Sequence, residues 1–477
     1  MPGLTSVPIA SIPLQRFEPV LDRQTYRSVL EHAERARELF AGRALWNVNS
    51  TARGGGVAEM VQSLLAYARG QGVDARWEVI SGDPEFFTVT KRLHNQLHGA
   101  PGDGRPLDAA AREVYETTTR ANAEALAERV APGEDVVLLH DPQTAGMIPL
   151  LRELGVPVVW RCHVGIDHPG EITRQAWDFL APYVRQADAY VFSRPQYVWR
   201  DLDPARTVLI PPSIDAFSAK NQDLADDTVH AVLAVAGLQE DGAARTEAAF
   251  TRIDGSPGRV ERRAAVDEGR PLRAGDRVVL QVSRWDRLKD PLGVIRGFVD
   301  HVLPHTDAHL VYAGPSVEAV ADDPEGQQVL DDARGLYAGL PAVARERVHL
   351  VSLPMTDPEE NAAMVNALQR RADVVVQKSL AEGFGLTVAE AMWKSRAVVA
   401  SRIGGIQDQI DHPRSGLLVD DPADLGAYGA AVTGLVGDGA RAASIGGAAR
   451  RRVTDQYLGT RSLVQYTDLF APLLAPS

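Results

Sequence analysis

Val374-Val375-Val376-Gln377 is a compact apolar run. Soon after it the chain reads Glu382-Gly383-Phe384-Gly385-Leu386-Thr387-Val388-Ala389-Glu390 and continues into Ala391–Lys394. A buried strand, a carboxylate, two glycines and a helix start, in that order, form the repeating unit of a doubly wound α/β sheet. The glycines open the helix and aim several backbone N–H groups at an anion or a cluster of hydroxyls. Glu382 sits on the loop, while Glu390 lies roughly one to two turns into the helix. The two carboxylates can therefore hold different parts of one elongated ligand. The structural alternative is a pair of helix-capping acids around a plain glycine turn.

Working outward, the same grammar recurs. Val278–Val282 runs into Ser283-Arg284-Trp285-Asp286-Arg287-Leu288-Lys289-Asp290, which puts Arg284 and Lys289 at a strand end. Two cations so placed can converge on one diphosphate, Arg as a planar fork and Lys as a compact charge. Basic pairs also occur in plain solvated loops. Ala44–Asn49 runs into Asn49-Ser50-Thr51-Ala52-Arg53-Gly54-Gly55-Gly56 and then a helical stretch, Val57 to Arg69. The glycines permit positive φ and close approach to a ligand, yet the third glycine of the dinucleotide pattern is missing. A tight turn with no ligand is the alternative.

Further short apolar runs read as strands: Asp135–His140, Val156–Cys162, Ala189–Phe192, Thr207–Ile210, His309–Ala313, Val348–Ser352, Ala397–Ser401 and the weaker Leu417–Val419. Pro291–Val302, Thr387–Lys394 and a long amphipathic stretch from Ala442 to Leu474 read as helices. Strands alternating with helices predict mostly parallel sheets covered on both faces. The alternation breaks from Ala219 to Arg277, a segment rich in Ala, Arg, Asp, Glu and Gly. The expected organisation is one Rossmann-like domain over residues 1–218, a second over 219–455, and a final helix over 456–477 packing back on the first. Ligands of open α/β sheets lie at the carboxyl ends of strands, so a cleft between two such edges is expected.

Composition excludes more than it names. The 477 residues carry a formal net charge of −13. Phosphate backbones and anionic membranes are bound by clustered Lys and Arg, so neither nucleic acid nor membrane is an expected partner. A single cysteine, Cys162, rules out an intramolecular disulfide and a cysteine metal cluster. No apolar run approaches the roughly 20 residues of a membrane helix. Met1–Phe17 lacks the basic start and apolar core of a signal peptide, so a cytoplasmic protein is expected.

Two other strand ends and one polar stretch carry reactive side chains. Arg161-Cys162-His163 ends one strand, where a lone His is more often structural than functional, and Cys162 reads as a buried strand residue. His140-Asp141-Pro142-Gln143 ends another and can bind hydroxyls. Asp201-x-Asp203 matches an acidic doublet used for metals but sits in a polar stretch without other support, and reads as surface.

These motifs together resemble retaining glycosyltransferases of the GT-B fold, family 4. Glu382 and Glu390 match its E-x7-E pattern, Arg284 and Lys289 its phosphate-binding pair, and Pro212-Ser213-Ile214-Asp215 its interdomain signature. Trp46–Glu59, Gly82-Asp83-Pro84-Glu85-Phe86-Phe87, His140–Gln143, Trp160–His163 and Ser283–Asp290 narrow the resemblance to trehalose glycosyltransferring synthases. The resemblance implies transfer of glucose from an NDP-glucose (UDP or ADP) to free glucose, giving α,α-trehalose. It implies that Arg284 and Lys289 hold the diphosphate and that Glu390 holds the ribose. Glu382 and the N–H groups of Gly383, Phe384, Gly385 and Leu386, with Thr387 beside them, would hold the donor sugar. His163 would sit near the reacting centre, and Gly55 and Gly56 against the donor phosphates or the acceptor. Trp46, Asp141 and Gln143 are acceptor candidates by position. No metal or other cofactor is implied beyond the nucleotide-sugar co-substrate. The partners are small sugars, and a homodimer is left open. The alternatives are a family 4 transferase acting on a sugar phosphate or glycerate, and a non-catalytic nucleotide-sugar sensor.

Overall fold

The computed structural model describes residues 3–52, 55–240, 246–317 and 324–474. The chain divides into two compact units, residues 1–213 with 457–477, and residues 214–456.

The first unit is built on β1 (Thr5–Ser6), β2 (Ala44–Asn49), β3 (Asp74–Val79), β4 (Val136–His140), β5 (Val158–Cys162), β6 (Ala189–Phe192) and β7 (Thr207–Leu209). They lie in the order β1-β3-β2-β4-β5-β6-β7, all parallel except the edge strand β1. β2 is flanked by β3 on one side and β4 on the other, so the winding reverses there. Every side chain of β2, β4, β5 and β6 is buried, as expected of strands covered on both faces. The helix Gly459–Leu474 packs Leu469, Phe470 and Leu474 against Phe40, Leu45 and Val73 of this unit.

The second unit repeats the plan. The hairpin β8 (Ala249–Thr251) and β9 (Pro257–Arg259) precedes β10 (Ala265–Asp267), β11 (Val278–Val282), β12 (His309–Pro315), β13 (Val348–Leu353), β14 (Val374–Gln377), β15 (Ala397–Ser401) and β16 (Leu417–Val419). The sheet order is β10-β13-β12-β11-β14-β15-β16, with β10 antiparallel at one edge. Winding reverses between β11 and β14, the place where open α/β sheets take ligands.

The segment from Ala219 to Arg277, where few strand-like runs and a helical excursion are expected, supplies the helix Asp226–Val235 and, beyond the expectation, the hairpin and the edge strand β10. Three-residue strands with charged neighbours carry too little apolar pattern to be read as such. The hairpin is fixed to the helix Pro358–Arg371 because Arg252 pairs with Asp357 at 2.6 Å, and buried Glu360 accepts the N–H groups of Glu261 and Arg262 at 2.7 Å each. The amphipathic stretch from Ala442 to Leu474 forms two helices, Gly439–Gln456 and Gly459–Leu474, the second beginning close to the start expected for the final helix.

The amino ends of β12 and β13 hold a buried histidine pair. Arg270 Nη2 lies 2.7 Å from His309 Nε2, His309 Nδ1 lies 3.0 Å from His349 Nε2, and His349 Nδ1 lies 2.7 Å from Glu268 Oε2. Arginine only donates, so His309 accepts there and keeps its one proton on Nδ1. Burial, reinforced by the neighbouring His349, pushes His309 down to about 4 from its ordinary 6.5. The unfolded chain then takes up a proton between pH 6.5 and 4 that the folded chain refuses. The stability this site contributes is complete above pH 6.5 and is lost as pH falls toward 4. We expect the thermal midpoint to drop on acidification through this window, and His309→Gln to flatten the drop, as followed by circular dichroism.

Candidate functional site

In the second unit the loops leaving β11, β14 and β15 lie side by side, since β14 pairs with both β11 and β15. Gln281, fully buried at the end of β11, joins two of them: its Nε2 donates to the Lys289 carbonyl at 2.8 Å, and its Oε1 accepts the Lys378 N–H at 3.1 Å. The Leu380 N–H adds a 2.7 Å bond to the Leu288 carbonyl. Asp290 takes a left-handed backbone (φ 50°), caps the helix Pro291–His301 through the Gly293 N–H at 2.9 Å, and ion-pairs with buried Lys378. A non-glycine residue in that region is strained and persists only where its surroundings over-determine it.

Lys289 Nζ meets Glu382 Oε2 at 2.5 Å, with both side chains largely buried. Two residues far apart in sequence thus face each other at the winding reversal. The Gly-rich turn is held from behind. The Gly405 N–H donates to the Gly383 carbonyl at 2.9 Å, and Gln409 Nε2 donates to the Phe384 carbonyl at 2.5 Å. Gly385 has φ 79° and precedes the helix Leu386–Trp393, so glycine is needed there. Thr387 Oγ1 donates to Gln377 Oε1 at 2.9 Å. Glu390 is buried in that helix, with Oε1 3.8 Å from Lys220 Nζ.

Arg284 is placed differently from Lys289. Its side chain is mostly exposed and pairs with Asp286 at 3.0 Å, so the two cations do not converge in this structure.

In the first unit, β4 and β5 bring His140, Asp141 and His163 together at the carboxyl edge. Arg161 is fully buried and bonds to the Tyr466 hydroxyl and, at 3.2 Å, to the Ile210 carbonyl. Its Nε donates to His163 Nδ1 at 3.3 Å; His163 Nε2 lies 3.1 Å from His140 Nδ1, and His140 Nε2 lies 3.2 Å from Asn47 Oδ1. Because arginine cannot accept, His163 carries its proton on Nε2 and His140 on its own Nε2. Burial holds His140 down to about 3 and His163 well below the usual imidazole range. The order Arg161, His163, His140, Asn47 uses both nitrogens of each ring.

Asp141 has φ 64°, a second strained non-glycine position. Trp160 Nε1 holds its carbonyl at 3.1 Å, and its Oδ1 accepts the His163 N–H at 2.7 Å. Burial pushes its carboxyl up to about 7, which the His163 N–H bond opposes. Gln143 Oε1 is buried without a hydrogen-bond partner. Trp46 is not grouped with these residues. It is buried in the core, its indole N–H bonds to Asp135 at 2.9 Å, and the Arg76 guanidinium covers its ring. Gly55 (φ 82°) and Gly56 start the helix Gly56–Gly70, whereas Arg53 and Gly54 lie outside the described residues.

Asp201 and Asp203 pair with Arg185 and Arg206 at the surface. Among the described residues no group of three or more His, Cys, Asp or Glu is arranged to hold a metal ion, and no helix is long and apolar enough to cross a membrane. Sequence reading missed Lys378, Gln281, Gln409 and the pair Gly404-Gly405. Only the last had a signal, two glycines closely following the apolar run Ala397–Ser401.

Comparison with known proteins identifies the family. Residues 47–199 match the family model described as trehalose synthase, N-terminal domain, and residues 276–438 match glycosyl transferases group 1. The chain is 34% identical to trehalose synthase of Rubrobacter xylanophilus over 97% of both chains. It is 32% identical to trehalose synthase of Pyrococcus horikoshii over 96% of both. Its fold matches a solved structure from E. coli described as trehalose-6-phosphate bound with UDP-2-fluoro glucose, with TM-score 0.65 and 13% identity, over 90% of this chain and 98% of that one. This chain belongs to the trehalose synthase family, and is a glycosyltransferase of trehalose metabolism built on the GT-B fold.

Proposed function

We propose that the protein transfers glucose from an NDP-glucose to free glucose with retention of configuration, producing α,α-trehalose and NDP. The observation that carries this reading is the meeting of Lys289 and Glu382 at 2.5 Å, where the winding reverses. The cation suits a diphosphate and the carboxylate a sugar hydroxyl, so the pair fits the junction of a sugar and its leaving group. The UDP-sugar analogue in the E. coli structure of the same fold supports a nucleotide-sugar donor.

In this reading the second unit takes the donor. Lys289, joined by Arg284 once it turns from Asp286, holds the diphosphate. Glu382 and the backbone of Gly383 to Leu386 hold the glucosyl hydroxyls. Thr387 steadies the helix start, and Glu390 accepts from the ribose. The first unit takes the acceptor, through Asp141 and Gln143, with Gly55 and Gly56 lying against donor phosphate or acceptor. His163 lies beside the transferred sugar, and its fixed proton on Nε2 makes it neutral there. Trp46 has no part, because its indole N–H is already bonded inside the core.

The bond from glucosyl C1 to the diphosphate oxygen breaks, and the acceptor hydroxyl forms a new bond on the same face. The acceptor proton passes to the departing phosphate, whose growing charge Lys289 stabilises. No protein nucleophile is required.

Incubation with UDP- or ADP-glucose and a panel of free glucose, sugar phosphates and glycerate tests the acceptor. Free glucose is expected to give the fastest NDP release. Preference for a phosphorylated acceptor would replace this reading by its transferase alternative, and absence of release with every acceptor would leave a sensor.

A further inference from the structure

The segment before the helix Asp226–Val235 is fastened to the donor-side helices by buried polar bonds. Asn366 Nδ2 donates to the carbonyls of Ala219 and Gln222 at 3.1 and 2.9 Å. Arg370 Nη2 reaches the Gln222 carbonyl and the Asp223 carboxylate at 2.9 Å each. Trp393 Nε1 donates to the Asn221 carbonyl at 3.0 Å, and Lys394 Nζ to Asn221 Oδ1 at 2.8 Å. Asn221 itself is buried and donates to the Asp215 carbonyl at 3.0 Å. Lys220 sits between residues held this way, so its backbone position is fixed although its side chain is partly exposed.

Opposite it stands Glu390. The ammonium of Lys220 is 3.8 Å from Glu390 Oε1, too long for a hydrogen bond, and Glu390 Oε2 is buried with no hydrogen-bond partner at all. A buried carboxylate oxygen left unbonded is costly, and such a group in a native fold calls for an explanation. Lys394, buried four residues further on, donates to the Glu390 carbonyl at 3.1 Å rather than to its carboxylate. Burial pushes the Lys394 ammonium well below the ordinary lysine range, while the Glu390 charge acts the other way.

We propose that Lys220 is a ribose-binding residue that works with Glu390 on the vicinal hydroxyls of a nucleoside diphosphate. A hydroxyl is both donor and acceptor, so one placed between the two side chains accepts from Lys220 and donates to Glu390. Two adjacent hydroxyls can occupy both carboxylate oxygens, including the one now without a partner. The carboxylate only accepts from the diol, so Lys220 adds the donated bond that Glu390 cannot make. The fastened segment 219–223 thereby acquires a task, since it brings a cation to a carboxylate on another element. This rests on the donor reading of the second unit and adds to it the residue that makes the ribose pocket selective for a diol.

The test is calorimetric titration of the full-length protein with UDP and ADP, each beside its 2′,3′-dideoxy analogue, for the wild type, Lys220→Met and Lys220→Gln. For the nucleotide that binds, the wild type is expected to prefer the ribo form by about tenfold or more, the scale of hydrogen bonds to charged groups. In both variants that preference should shrink to the part that Glu390 alone supports, while dideoxy binding stays unchanged. Equal weakening of both forms would make Lys220 a general attractor of phosphate, and a ribo preference unchanged in the variants, or absent in the wild type, would leave it without a role; either overturns the proposal. Failure of the wild type to bind either nucleotide overturns the donor reading, and this inference with it. Matching melting curves for all three proteins exclude loss of folding as the cause.

Discussion

Replacing Lys289 by alanine is expected to lower kcat by about 10²–10³-fold, the cost of removing one preorganised group from a developing negative charge. The reason is positional. Lys289 is fixed from both sides, by the Gln281 bond to its carbonyl and by the strained Asp290 that follows it, so its charge needs little reorganisation as the diphosphate departs. The substitution also removes the ammonium that faces the largely buried Glu382 at 2.5 Å, the group placed where charge develops on the leaving diphosphate. The loss should therefore fall on kcat more than on the donor KM. Steady-state kinetics with varied donor checks this: a raised KM with kcat intact would mean that Lys289 only binds the ground state.

Gly404→Ala is the second large effect. Gly404 has φ 47°, and a Cβ there would stand 1.8 Å from the Glu382 carbonyl oxygen and 3.1 Å from that of Gly383. The added carbon has no room unless the Glu382–Gly385 turn moves by an ångström or more. A displacement of that size costs about 10²-fold in rate when it shifts a positioned group, so kcat/KM is expected to fall by at least that much. The midpoint of thermal unfolding should fall by only a few degrees, as for a local strain of about 1–2 kcal/mol. Gly335→Ala is the control, since a Cβ there meets nothing within 4 Å and lies in the helix Pro324–Ala338. Alanine is the better helix former, so that variant should keep full activity and be slightly more stable.

Much of the fold was legible because its strands are buried on both faces. Ala44–Asn49, Ala189–Phe192, Val278–Val282, Val374–Gln377, Ala397–Ser401 and Leu417–Val419 appear with the limits read from their apolar runs. β3, Asp-Ala-Arg-Trp-Glu-Val, was missed because polar residues alternate along it and dilute the pattern, two of them exposed. The start of the final helix was legible within a few residues, because Gly459 follows Tyr457 and Leu458 where the helix Gly439–Gln456 ends.

At the site, the motif residues were legible as loops closing strands, which is a local property. Their partners were not. Lys378, Gln409, Lys220 and Asn47 are single polar residues in unremarkable surroundings, and only the folded sheet brings them to Asp290, Phe384, Glu390 and His140. The separation of Arg284 from Lys289 follows from the same limit. Spacing along a loop gave their proximity, but the nearer acids, Asp286 and Glu382, decide where each charge settles without a ligand.

The central claim is retaining transfer of glucose to free glucose, and the most direct measurement is proton NMR of the product formed from NDP-glucose and isotopically labelled glucose. The expected product is a non-reducing disaccharide carrying one donor-derived and one labelled glucosyl residue, both α at the anomeric carbon, released in equal amount with NDP. A reducing disaccharide, a β linkage, or NDP released only together with free glucose from the donor would contradict it.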